Sequence, residues 1–191
     1  NDGVYGGAGD DRVRGGAGGD MLCGDAGDDV INAGGGNNWV YGGEGGDSIT
    51  AGNGGDMLYG DAGNDTIVAG DGNNWSYGGL GDDSITGGAH NDMIFGEDGA
   101  DRITDLGGNN HVAAGLGDDR VTLGDGDDQV TGDQGNDVVN AGGGRNNVSG
   151  GEGNDSLTSG AGADQLDGGI GNDTLNAGAG QDYVLGGMGA A

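Results

Sequence analysis

The stretch "GGAGDDRVR GGAGGDMLC GDAGDDVIN AGGGNNWVY", residues 6–41, decides the fold. It is four nine-residue units in one phase, each with Gly at its fourth place, Asp or Asn at its sixth and Val, Leu or Ile at its eighth. Outward from it the phase never slips: twenty units run from Gly6 to Leu185 without insertion, and Asn1–Tyr5 and Gly186–Ala191 are fragments of further units. The fourth place is Gly in nineteen of the twenty, His90 excepted; the eighth is Val, Ile or Leu in nineteen, Ser76 excepted. The sixth is Asp in sixteen and Asn in four. A strict short period marks a solenoid, in which each unit completes its core only against its neighbours. No linker interrupts the pattern, so residues 1–191 read as a single continuous array.

Places seven to nine, with one inward apolar residue, suit a very short strand, because alternate side chains point to opposite faces. The six Gly-rich places that remain suit a turn needing positive φ and close backbone approach. Strand, turn, strand, turn makes a coil of eighteen residues. Coils stack at about 4.8 Å, so about ten of them form a rod roughly 48 Å long. The expected fold is all-β, a right-handed parallel β-roll (β-solenoid) with two nonapeptides per coil and a thin core of Val, Ile and Leu.

Composition says why such a chain needs help to fold. The 191 residues hold 55 Gly and a single Phe, and 33 acidic residues face five Arg for a net charge of -28. That apolar content is far below an ordinary globular core, and the bare chain repels itself. A polyanion excludes nucleic acid as a partner. No run approaches the ~20 apolar residues that span a bilayer, so no membrane insertion is expected. The chain starts at Asn1 without an apolar leader and reads as a processed or excised piece. One cysteine, Cys23, cannot close an internal disulfide, although it could bridge two chains.

Bound cations are the remedy these residues allow. Each turn offers carbonyl oxygens from Gly-rich backbone and a carboxylate at the sixth place, and stacking sets equivalent turns above one another along each edge. Oxygen-only ligands in a flexible cage suit multiple Ca2+; zinc would want the His and Cys that are nearly absent. His90 and His111 have no nucleophile or acid at readable spacing, so the chain is not expected to be an enzyme.

The pattern GGxGxDxUx, with U a large apolar residue, resembles the RTX (repeats-in-toxin) nonapeptide family over essentially the whole chain. The resemblance implies Ca2+ held between neighbouring turns of one edge, each Asp helping two ions. The implied ligands are Asp2, Asp11, Asp20, Asp29, Asp47, Asp56, Asp65, Asp83, Asp92, Asp101, Asp119, Asp128, Asp137, Asp155, Asp164, Asp173 and Asp182. About eighteen ions would carry roughly +36, enough to cancel the chain's charge. It also implies bacterial export, by type I secretion, to the cell surface or the extracellular medium.

A second period lies on the first. Asn38, Asn74, Asn110 and Asn146 recur every 36 residues, as do Asp25, Asp61, Glu97 and Asp133 at the second place. Units alternate sides, so the odd edge is unbroken Asp while the even edge alternates Asp with Asn, and the even edge should bind calcium more weakly at those Asn. Outward strand places sort too: odd units show "SIT", "TIV" and "RIT", whereas even units show Met21, Trp39, Tyr41, Met57, Tyr59, Trp75, Tyr77, Met93 and Phe95. From His111 onward the stripe becomes Gln129, Asn147 and Gln165. An apolar stripe on the order of several hundred Å² marks an interaction site. The expected partner is a second copy, giving a homo-oligomer or extracellular fibre; a carbohydrate ligand stays open.

Three roles compete. The first is a calcium-dependent structural and self-association module, as in a matrix or surface-layer protein. The second is a targeting or spacer module of a larger protease, toxin, lipase or epimerase. The third, ice binding, would want a regular Thr and Asx row, which Ala8, Ala17, Ala26, Gly35 and Glu44 at the third place do not supply.

Overall fold

The computed structural model describes residues 1–189; Ala190 and Ala191, the tail of the array, lie outside the described residues. The architecture is a β-solenoid of about ten turns. Strands of one kind of unit stack into an eleven-stranded sheet, beginning Gly3–Ala8, Met21–Ala26 and Trp39–Glu44. The other units stack into a ten-stranded sheet, beginning Arg12–Ala17, Val30–Gly35 and Ser48–Asn53. A two-stranded sheet, Ala161–Gly162 with Ala179–Gly180, completes the set. All pairings are parallel in an 18-residue register, as in Val4↔Leu22, Leu22↔Val40 and Val40↔Leu58. Every side chain therefore sits above its equivalent one coil away.

The strands are longer than three residues. Most span six, from the seventh place of one unit to the third of the next. Glycine does not end them, because every backbone group meets an identical group one coil away and the ladder continues through the Gly-rich stretch. Only places four to six remain as turn.

Longer strands put two inward places in each unit. The eighth-place column is buried from Val13 and Leu22 through Leu157 and Leu166. Beside it, Ala33, Ala51, Ala69, Ala114, Leu123 and Ala141 at the first place join the same core. Ser76 replaces the aliphatic residue in one coil, and its buried Oγ has no hydrogen-bond partner.

The fourth-place Gly shows why these turns cannot carry side chains. Gly72 has φ +130°, and a Cβ there would strike the carbonyl oxygen of Gly54 one coil away. Stacked coils thus point backbone oxygens into the gap between successive turns.

Candidate metal sites and the aromatic face

At the turn, the sixth-place side chain folds inward. Its Oδ1 accepts the backbone N–H of the sixth-place residue one coil earlier, as Asp83 does from Asp65 (2.7 Å) and Asp101 from Asp83 (2.8 Å). Its Oδ2 is the notable atom. In fourteen of the seventeen Asp expected as ligands, Asp20 through Asp173, Oδ2 is buried without any hydrogen-bond partner. Asp2, in the first coil, is exposed, and Asp11 and Asp182 are half-buried.

A buried carboxylate oxygen with no donor is strongly disfavoured unless a proton or cation meets it. Burial therefore pushes the carboxyls of Asp83 and Asp119 up to about 7, opposed by the N–H each accepts and reinforced by Asp neighbours one coil away. Asp47, Asp101 and Asp137 are pushed up to about 6, again first by burial. No cluster of three or more His, Cys, Asp or Glu side chains gathers among the described residues. Any cation here would take its remaining ligands from backbone carbonyls, which is the hard-oxygen set that Ca2+ accepts.

The even edge solves the same problem differently. Asn38, Asn74, Asn110 and Asn146 keep the ladder, their Oδ1 accepting the N–H of Asp20, Asp56, Asp92 and Asp128. Where Asp has a bare Oδ2, Asn has a donor. Asn74 Nδ2 donates to the carbonyls of Gly70 (3.3 Å) and Gly72 (3.2 Å), and Asn38 Nδ2 to Gly36 (3.0 Å). These are the Asn expected to be weaker calcium sites; in the structure their Oδ1 is already engaged, and the amide nitrogen reaches into the turn instead. Asp56, between two Asn, is raised by burial alone, with both Asn38 hydrogen bonds opposing the rise.

A second ladder was not read from the sequence. Fifth-place Asx side chains accept N–H groups from the following coil, as in Asp28 to Asp10 (3.1 Å), Ala100 to Asp82 (2.9 Å) and Arg145 to Asp127 (2.8 Å). Fifth- and sixth-place side chains thus tie each coil in opposite directions. The signal was the Asx at thirteen of the twenty fifth places.

The 36-residue period has a backbone correlate. Asp25, Asp61, Glu97 and Asp133 hold positive φ of 74–77°, the described non-Gly residues that do so. Between them stand Gly43, Gly79, Gly115 and Gly151, where a Cβ would strike the carbonyl oxygen of the preceding acid. Side chains at this place thus alternate with Gly from Asp25 to Gly151, a spacing of two coils.

The apolar stripe lies on the eleven-stranded sheet and divides in two. Ninth-place rings stack flat on one another: Tyr41 on Tyr59 at 4.9 Å, Tyr59 on Tyr77 at 4.8 Å and Tyr77 on Phe95 at 4.8 Å between centroids. They are half-buried by that stacking. At the seventh place Met57 and Met93 are half-buried as well, while Trp39 at 50%, Trp75 at 44% and Met21 at 42% stay exposed. Beside them the Cys23 thiol is pushed up by burial and by Asp25, which makes it a poor thiolate.

Comparison with known proteins adds the assignment. A family model described as the RTX calcium-binding nonapeptide repeat (4 copies) matches at residues 1–31, 20–49, 32–67, 41–76, 68–103, 104–139, 140–175 and 158–190. Four of these abut at 36-residue intervals, the period of the Asn and Trp positions. No curated protein matches the chain. Repeats of this kind bind Ca2+ at multiple sites and form a structural β-roll, and proteins that carry them are typically secreted by bacteria. With its unbroken period, its parallel solenoid and its rows of buried, donor-less carboxylate oxygens, the chain belongs to the RTX calcium-binding nonapeptide repeat family.

Proposed function

We propose that this chain is a non-catalytic, calcium-stiffened structural segment of a secreted bacterial protein, and that its aromatic sheet joins a second copy in the extracellular medium. The observation that carries the calcium part is the row of partnerless Oδ2 atoms, with Asp29, Asp47, Asp65, Asp83, Asp101, Asp119, Asp137 and Asp155 stacked on one edge. Each gap between turns takes an ion held by a sixth-place Oδ2 and Gly carbonyls. Low cytosolic calcium would leave the polyanion unfolded for export, and calcium outside would close the coils.

Self-association rests on Trp39 and Trp75, half-exposed on a flat sheet and two coils apart, with Met57 between them. Large aromatic and Met side chains are the residues enriched at interface centres. A second copy presents the same stripe and can be aligned by a two-fold axis. The net charge of -28 opposes the approach until calcium neutralises it, so association should follow calcium. Sedimentation velocity with and without calcium tests this: a calcium-dependent dimer or polymer that Trp39→Ser with Trp75→Ser returns to monomer supports it. A wild-type chain that folds in calcium yet stays monomeric refutes the association.

A further inference from the structure

One buried carboxylate among the described residues lies outside the repeat's ligand position and has no role in the side-chain ladders described above. Asp105 occupies the first place of its unit, where other units of its side carry Gly15, Ala33, Ala51, Ala69, Gly87, Leu123, Ala141, Ser159 and Ala177. It sits on the strand Arg102–Gly107, points inward and is 0% exposed. Its Oδ1 accepts the N–H of Gly107 at 3.2 Å, and its Oδ2 has no partner.

One coil earlier is Asp92, 2% exposed, whose Oδ1 accepts the N–H of Asn74 at 2.6 Å and whose Oδ2 is equally without a partner. Both bare oxygens converge on one point. A Cβ built on Gly87 would touch Asp105 Oδ2 and would lie 3.0 Å from Asp92 Oδ2. In other turns of the array, such as the one around Gly42, the atom in the place of Asp105 Oδ2 is the backbone carbonyl of the next coil. Ser84–Gly88 pairs with Arg102–Gly107 only through Ser84, Ile85 and Thr86, without the second-place bridge that Gly88 makes to Gly70 on its other side, while Asp105 itself pairs with Leu123.

No Arg meets either carboxylate, since the ion pairs among the described residues are those of Asn1 with Asp20 and of Arg145 with Asp127. Two buried carboxylates with facing bare oxygens require something positive between them. This coil is also one in which Asn110 has replaced the sixth-place Asp. Its amide reaches the Gly107 carbonyl at 3.3 Å, a single contact like those of Asn38 and Asn146.

We propose that Asp105 is an added metal ligand, holding one Ca2+ with Asp92 and nearby backbone carbonyls inside the even edge, at a coil that the Asn pattern would otherwise leave without one. Two carboxylates match the charge of one divalent ion, and side-chain plus carbonyl oxygens match its hardness. The proposal rests on the reading that the turns of this array hold calcium. It adds a ligand from a strand place rather than a turn place.

The test counts ions. Native mass spectrometry of the full chain in saturating calcium would compare wild type with Asp105→Ala and Asp105→Asn. Ala stands at the same place in four coils of this side between Ala33 and Ala141, so the first variant keeps its fold, checked by far-UV ellipticity. Loss of one ion in both variants is the expected result. An unchanged count in Asp105→Ala overturns the proposal and leaves the calcium assignment of the array intact. A count preserved in Asp105→Asn with raised thermal stability also overturns it, because that is the behaviour of a carboxyl pair sharing a proton. A wild-type chain that takes up no calcium removes the array reading and this one together.

Discussion

The two edges of the roll share one backbone turn and differ in what fills it. On the odd edge each turn from Asp29 to Asp173 buries a carboxylate oxygen with no donor, and like charges repeat every coil. On the even edge Asn inserts its own N–H donors in every second turn, and the Asp between them has no carboxylate beside it in the column. An amide supplies locally what the carboxylate must take from solution. If the bare Oδ2 atoms hold calcium as proposed, one substitution, Asp for Asn at a fixed place, would set how far a turn depends on calcium without altering the ladder, because Oδ1 makes the same bond in both.

The largest expected effect tests the shared premise. Adding a chelator at neutral pH should abolish nearly all β signal in far-UV circular dichroism, and retention of that signal would break the comparison at its root. Next comes pH in the presence of chelator. The odd-edge carboxyls of Asp83 and Asp119 at about 7, and of Asp47, Asp101 and Asp137 at about 6, all lie above their ordinary 3.8. Protonation then favours the folded state: that contribution is whole below pH ~4 and is lost as pH rises through 6 to 7. Calcium-free chain should gain β signal on acidification over this window, and a flat profile would deny that buried odd-edge carboxylates oppose folding.

A smaller effect separates the two carboxylate oxygens. Asp83→Ala removes both the acceptor for the Asp65 N–H and the bare Oδ2, and should cost about 2–4 kcal/mol in calcium by thermal or urea unfolding. Asp83→Asn restores the acceptor and should recover about 1–2 kcal/mol of that while still losing an ion; equal losses in the two variants would show that the ladder bond is immaterial. Smallest is the reverse exchange. Asn74→Asp should add one bound calcium in native mass spectrometry and lower stability in low calcium by about 1 kcal/mol, because it trades two carbonyl contacts for a bare oxygen.

Much of this was legible in the residues. The period fixed the coil, the eighth place marked the core column, and the sixth-place Asp marked the turn carboxylates. Less legible was anything requiring the 18-residue partner. Gly at places one to three reads as turn in isolation, yet it extends the strand once another Gly lies one coil away. Fifth-place Asx looks like solvated surface until the N–H of the next coil is placed against it, as for Ala100 on Asp82. Asn reads from sequence only as a weaker calcium site, because which end of the amide enters the turn depends on the Oδ1 bond already made. Asp105 was visible as a departure from Ala, but its place had been counted as turn, so its inward direction could not be seen.

The 18-residue register also governs how such a chain can change over generations. Gene duplication of one nonapeptide would leave the sequence pattern perfect and the molecule wrong, because every later unit would cross to the opposite sheet. Trp75 would leave the stripe of Trp39, and Asn74 would enter the all-Asp column. Duplication of eighteen residues would keep the sheets but break the two-coil alternation of acid with Gly at the second place and of Asp with Asn at the sixth. A 36-residue block is the shortest copy that preserves both alternations. The double coil is then the inheritable unit of this protein, and the nonapeptide only its spelling.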